Sequence, residues 1–109
     1  MGKITQELVR SLTPLERESA EWCYERYHQW LDENRKADKK ENRTVFVTAI
    51  VTVKAYDFKA GELEAFRSLN EKGIISEMEP DEEIGGDCHN ITLTQTIVDV
   101  HNLLVQKDF

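Results

Sequence analysis

The chain is poor in the residues that define several protein classes. Only two of its 109 residues are cysteines, Cys23 and Cys88, and only two are prolines. One disulfide at most could form, which excludes a disulfide-stapled scaffold and favours a reducing compartment. The cysteines and the three histidines follow no zinc-binding spacing, so we predict no metal site and no cofactor.

Long apolar runs and catalytic motifs are also missing. The longest strongly apolar run, Val45 to Val53, is far shorter than the ~20 residues of a membrane-spanning helix. The first residues lack the apolar centre of a signal peptide, so we expect a soluble, cytoplasmic protein without a membrane partner. We find no glycine-rich phosphate loop, G-x-S-x-G or H-E-x-x-H, and we therefore expect no enzyme.

Basic residues are scarce in the last third of the chain. The formal charge is -7, and residues 74–109 carry one base and eight acids, whereas the earlier residues are balanced. Six of these acids fall within eleven residues: Glu77, Glu79, Asp81, Glu82, Glu83 and Asp87. We predict an exposed acidic loop, which is either a solvated surface or a patch that binds a basic partner.

The one basic cluster lies in residues 34–43, a segment without apolar periodicity. It includes Lys36, Lys39, Lys40 and Arg43. We predict an exposed loop here.

Helical signals dominate the first third. Thr13 can cap a helix that begins at Pro14, with Glu16 completing a capping box, and apolar residues at helical spacing continue to about Glu33. Ile4, Leu8 and Leu12 indicate a shorter helix before it, over about residues 5–11.

The middle of the chain is ambiguous. Residues 44–53 are rich in β-branched side chains, which favours a strand, yet Phe46, Ala49, Ile50 and Val53 also fit helical spacing. Beyond it, the pattern predicts a helix over about 59–72 that ends at Gly73. Strands at Ile74–Ile75 and Ile91–Leu93 would form a hairpin around the acidic loop, and a last helix would cover about 95–106.

Four stretches carry a resemblance to a known family, the fourth of them the ambiguous segment Val45 to Val53 with the turn that follows it. Leu12 to Glu18 resembles the opening of winged helix-turn-helix domains, and Leu63 to Ile75, LEAFRSLNEKGII, resembles their recognition helix and first wing strand. Ile91 to Thr94 is similar to the second wing strand of multiple-antibiotic-resistance-type regulators. The resemblance implies a mainly α fold with a small β-hairpin in one domain, 1–109. It divides this domain into an arm (1–12), a winged core (13–94) and a C-terminal helix (95–109).

The resemblance also decides the ambiguous segment and implies a function. Val45 to Val53 would be the first helix of the helix-turn-helix, Lys54 to Phe58 its turn, and 59–72 the recognition helix. The implied function is a DNA-binding transcriptional regulator that reads double-stranded DNA in the major groove. Its DNA-contacting residues would be Lys59, Glu64, Arg67, Ser68, Lys72, Lys39, Lys40 and Arg43.

A second interpretation is a winged-helix protein-interaction module. Here the acidic wing, residues 77–87, would engage a basic protein or mimic nucleic acid, because an acidic loop repels phosphate within about 10 Å. Its partner-binding residues would be Glu77, Glu79, Asp81, Glu82, Glu83 and Asp87. Under both interpretations we expect a homodimer built from the terminal segments, which carry apolar residues without a place in a minimal winged core.

Overall fold

The computed structural model describes residues 4–38 and 49–106. The elements follow in the order α1 (Gln6–Arg10), α2 (Pro14–Asp38), β1 (Val51–Ala55), α3 (Glu62–Glu71), β2 (Glu77–Pro80), β3 (His89–Leu93) and α4 (Gln95–Val105). About half of the chain is helical, and the three strands form one small antiparallel sheet. This architecture agrees with the predicted class, mainly helical with a small β component.

The first two helices begin close to their predicted starts. The Thr5 hydroxyl accepts the Leu8 N–H at 3.1 Å, and α1 starts at the next residue, Gln6. Helix α2 begins at Pro14 but extends through Asp38, so the predicted loop is wrong over residues 34–38. This stretch contains good helix formers and neither proline nor glycine, so nothing in it ends the helix. The rest of that predicted loop lies outside the described residues.

The sheet has the strand order β1-β3-β2, with β3 in the centre. Ile91 of β3 pairs with Val53 of β1 on one side and with Met78 of β2 on the other. Alternate residues of β1 and β3, such as Val51 and Leu93, are buried against the helices. The opposite face of the sheet is polar, as expected for a small antiparallel sheet with one face in solvent.

Strand β1 corrects the predicted helix over Val45 to Val53. Residues 51–53 are extended, and the predicted turn, Lys54 to Phe58, begins as the last two residues of the strand. The β-branched side chains of Val51, Thr52 and Val53 favour this outcome, because they pack well on a pleated surface. Residues 45–48 lie outside the described part of the chain.

Helix α3 starts at Glu62, three residues later than predicted, and ends close to the predicted position. Residues 56–61 connect β1 to α3 without a helix, so the predicted helix-turn-helix is absent at this place. Gly73 has φ +80°, which confirms its predicted role after the helix, since an L side chain is strained there.

The strand after α3 begins later than predicted. Ile74 and Ile75 are fully buried, and their N–H groups both donate to the Leu69 carbonyl, at 2.9 and 3.2 Å. This bonding belongs to a helix end and excludes a strand, so β2 starts only at Glu77. Strand β3 and helix α4, by contrast, match the predicted segments closely.

The core lies between the sheet and helices α2, α3 and α4. Tyr27 of α2 is fully buried there, and its hydroxyl donates to the Ala49 carbonyl at 3.1 Å. Helix α1 packs against α4, so the two terminal segments cover part of each other's apolar surface within one chain. Val9 and Leu12 are each only 3% exposed as a result. The predicted homodimer remains a prediction.

Candidate functional site

The outward face of α3 carries more acidic than basic side chains, whereas a surface that binds DNA is usually basic. Glu64, Arg67 and Glu71 are exposed on it, so the two carboxylates outnumber the one guanidinium. Lys59 is exposed just before the helix, and its backbone N–H donates to the Glu62 carboxylate at 3.2 Å. Among the predicted DNA contacts, Lys59, Glu64 and Arg67 are therefore accessible to a ligand.

Ser68 and Lys72 point instead toward α2. The Ser68 hydroxyl donates to Glu16 Oε2 at 2.5 Å, and Lys72 Nζ forms an ion pair with the same oxygen at 2.7 Å. Both side chains are thus engaged by Glu16, and their predicted role in DNA binding is not supported by their orientation. Lys39, Lys40 and Arg43, which complete the predicted set, lie outside the described residues.

Glu16 is held by the predicted capping box as well as by α3. Its Oε1 accepts the Thr13 N–H at 2.9 Å, and its own N–H donates to Thr13 Oγ1 at 3.1 Å. Burial of the carboxyl raises its pKa, but the hydrogen bonds from Lys72, Ser68 and Thr13 outweigh burial and lower the pKa to about 2. Glu16 therefore stays ionised and links the start of α2 to α3.

Asp81 organises the hairpin between β2 and β3. It is only 6% exposed, and its Oδ1 accepts the N–H groups of Glu83 and Ile84, both at 3.0 Å. Its other carboxylate oxygen forms an ion pair with Lys54 of β1. The hydrogen bond from Lys54, aided by the Ile84 N–H, lowers the pKa of Asp81 to about 2. The same hydrogen bond raises the pKa of Lys54.

Asp87 also has a structural role, at the other end of the hairpin loop. Its carboxylate accepts the backbone N–H groups of Asp57 and Phe58, at 3.4 and 3.2 Å. Its carbonyl oxygen lies 2.7 Å from Nδ1 of His89. Asp81 and Asp87 were both predicted as exposed partner-binding residues. The burial of Asp81 contradicts that role, and Asp87 is exposed but anchors the loop that precedes α3.

The remaining acids of the hairpin lie on the protein surface. Glu77, Glu79, Glu82 and Glu83 are exposed and form no ion pair with any residue in the described ranges 4–38 and 49–106. Ile84, which follows Glu83 in the hairpin loop, has an apolar side chain that is 62% exposed. We call these five residues the hairpin surface.

A shallow depression of about 660 Å³ lies next to the hairpin surface. Glu79, Glu82 and Glu83 line it, together with Lys54, Pro80, Asp81 and Asn90. Asn90 is the register partner of both Lys54 and Glu79, and its Oδ1 accepts a 3.1 Å hydrogen bond from Lys54. Lys54 is the one basic residue among the described residues that line this depression, and its ammonium group is already bound to Asp81 and Asn90. The three glutamates therefore determine the net charge of the depression.

In the described residues, neither the cysteines nor the potential metal ligands form a candidate site. Cys23 and Cys88 are both free and buried, and burial raises the pKa of the Cys23 thiol. Within the part of the chain that the structure describes, no three His, Cys, Asp or Glu side chains are grouped so that they could hold a metal ion.

Comparison with known proteins gives no relatives. No protein-family model, curated protein or solved structure matches this chain. In residues 4–38 and 49–106, no helix combines the length and the apolar character needed to cross a membrane.

Two ion pairs were not predicted from the sequence, one that links α2 to α3 and one that links β1 to the hairpin loop. The pairs join residues far apart in the chain, Glu16 with Lys72 and Lys54 with Asp81. Local signals existed for two of the four residues: Glu16 belongs to the predicted capping box, and an aspartate that follows proline and precedes glycines is typical of a turn stabilised by its own side chain. No comparable signal identifies Lys54 as its partner.

Proposed function

We propose that this protein is a protein-interaction module whose hairpin surface, Glu77, Glu79, Glu82, Glu83 and Ile84, binds a basic protein segment. The proposal is carried by exposed Ile84 on a loop held by buried Asp81, together with glutamates that form no ion pair within residues 4–38 and 49–106. A loop fixed in advance loses less conformational entropy when it binds. An apolar side chain within a ring of charge provides both contact area and orientation.

The charge of α3 supports the same partner class. Its exposed face carries Glu64 and Glu71 beside Arg67, and Glu16 holds Lys72. Affinity for DNA comes mainly from basic groups that neutralise phosphates. The described surface of α3 and the hairpin therefore offers few such groups and favours a basic ligand.

DNA binding is the second candidate, and the order of the elements favours it. Helix α3 directly precedes the β2–β3 hairpin, as in the winged-helix arrangement implied by the resemblance, whereas β1 stands where the resemblance implies the end of a helix and a turn. We propose a winged-helix variant in which residues 56–61 replace the helix before α3. In such a variant Lys59 and Arg67 would be the groups that reach DNA.

An array of synthetic peptides, each combining lysine or arginine with one large apolar residue, tests the first candidate. We expect a subset to bind, and the triple substitution Glu79→Gln, Glu82→Gln, Glu83→Gln to weaken binding about tenfold. An exposed pair contributes about 0.5 kcal/mol, so three contribute about 1.5 kcal/mol. The matched control neutralises three exposed acids on other elements, Glu7, Glu33 and Asp99, and should change affinity little. Equal weakening by both triple variants would contradict a specific hairpin surface.

A further inference from the structure

A second candidate binding site is an open groove between α2, α3 and the loop that joins β1 to α3. Its volume is about 640 Å³, which is in the range of small-molecule sites. It is separate from the hairpin surface, since none of the five residues of that surface lines it. An inference about this groove therefore does not rest on the proposed function.

Aromatic rings form much of the groove. Phe66 of α3 packs edge-on against Trp22 and Phe58, with ring centroids 5.8 and 5.3 Å apart. Tyr56 also lines the groove and is 63% exposed. Such rings attract apolar bodies and, through their faces, cations. The chain itself shows this preference, because the Arg26 guanidinium carbon lies 5.1 Å from the centre of the Trp22 ring.

The charged residues that line the groove are mainly acidic. The groove is lined by four glutamates and two basic residues: Glu18, Glu21, Glu25 and Glu62, with Arg17 and Lys59. Glu21 also contacts Nδ1 of a histidine on α4, with a shortest distance of 2.8 Å. The excess of carboxylates favours a cationic ligand over an anionic one.

The wall of the groove also contains the buried hydroxyl group of a serine. Ser19 lines the groove from α2 and is 3% exposed, and its Oγ has no hydrogen-bond partner among the residues that the structure describes. A buried polar group without a partner costs free energy, which a ligand recovers if it donates or accepts a hydrogen bond there. An ammonium group provides such a donor.

We propose that this groove binds a small organic cation that joins an aromatic body to an ammonium group. The body packs against Trp22, Phe58 and Tyr56, and the ammonium group lies among the carboxylates that line the groove, on the side of Ser19. The ligand class follows from the aromatic lining, the acidic excess and a hydroxyl without a hydrogen-bond partner in residues 4–38 and 49–106.

Titration of the full chain with phenethylammonium, followed by amide and indole NMR shifts, tests the proposal. Two probes of similar shape serve as controls, neutral phenethyl alcohol and anionic phenylacetate. We expect saturable shifts at Trp22, Phe58 and Phe66 with the cation, weaker binding of the alcohol, and none of the anion. No saturable shift with the cation up to about 10 mM, or binding of the anion at least as tight as that of the cation, would overturn the proposal.

Paired substitutions distinguish binding in the groove from general electrostatic attraction of the cation to an acidic protein. Glu18→Gln with Glu25→Gln should weaken binding about fivefold, since two exposed charges contribute about 1 kcal/mol, whereas Glu7→Gln with Glu33→Gln should not. Ser19→Ala should weaken binding without lowering stability, because the hydroxyl has no partner to lose. Tyr56→Ser removes an exposed ring and should weaken binding in a chain that still folds.

Two outcomes of these substitutions would also overturn the proposal. One is equal weakening by the groove pair and the control pair, which would indicate long-range charge alone. The other is an acetylated Phe-Arg dipeptide amide that shifts these resonances while phenethylammonium does not, which would assign the groove to a peptide.

Discussion

Replacing Glu16 with glutamine should destabilise the fold, and the loss should depend on pH. Glutamine keeps the shape of the side chain, but its amide carries no negative charge. It therefore accepts the hydrogen bonds from the Lys72 ammonium and the Ser68 hydroxyl less strongly than the carboxylate does. It leaves Lys72, whose side chain is 29% exposed, without its carboxylate partner. Removal of one member of such a partly buried pair is costly, because the other charge stays desolvated.

The magnitude follows from the pKa of Glu16. Its pKa lies at about 2 in the folded protein instead of the ordinary 4.5. A pKa difference of one corresponds to about 1.4 kcal/mol, so ionised Glu16 contributes about 3 kcal/mol to the free energy of unfolding. Because the folded pKa is lowered, this contribution is complete above pH 4.5 and is lost as the pH falls toward 2. Roughly half of it should remain at pH 3.

Urea unfolding of the wild type and of Glu16→Gln, at pH 7 and at pH 3, measures this contribution. We expect a difference in free energy of unfolding of about 3 kcal/mol at pH 7 that narrows by about half at pH 3. Glu18→Gln is the matched control, since Glu18 is exposed on the same helix, and should change stability by less than about 0.5 kcal/mol. A Glu16→Gln difference that is the same at both pH values would refute the assignment of Glu16 as an ionised link between α2 and α3.

Four further predictions concern the hairpin, the core and the assembly. Asp81→Ala should lower the melting temperature and speed amide exchange at Ile84, because the loop loses the acceptor that fixes it; unchanged exchange would contradict that role. Gly73→Ala should cost about 1 kcal/mol in urea unfolding, since φ is +80° there. Tyr27→Phe should cost about 1 to 2 kcal/mol, because the buried Ala49 carbonyl loses its donor; a neutral change would argue against this hydrogen bond. Light scattering should give twice 12.7 kDa if the predicted homodimer forms, and a monomer mass would refute it.

The elements that the sequence predicted well are those fixed by local signals. Thr13 and Glu16 form a capping box whose partners are three residues apart, so the start of α2 could be predicted from the sequence alone. Gly73 likewise marks the end of α3 through its own backbone conformation. Helix α4 was predicted from the helical spacing of its apolar residues, and the structure adds Thr94 as its cap.

The elements that the sequence predicted poorly depend on distant contacts. Residues 51–53 fit two periodicities, and pairing of β1 with β3, about forty residues away, decides for the strand. The candidate site shows the same division. Exposure of Glu82 and Glu83 could be predicted from composition, but burial of Asp81 depends on Lys54 of another strand. The inward position of Lys72 depends on Glu16 of another helix in the same way.

Parallel titrations with a basic peptide and with duplex DNA distinguish the two proposed functions. A labelled peptide selected from the array and, in a separate experiment, labelled mixed-sequence duplex DNA are each titrated with the protein at ~50 mM salt, where phosphate contacts are least screened. We predict that the peptide binds, that the DNA gives no shift, and that neutralising Glu79, Glu82 and Glu83 weakens peptide binding about tenfold. Binding of labelled DNA that tightens on this neutralisation and weakens with Arg67→Ala would contradict the account and favour a DNA-binding regulator.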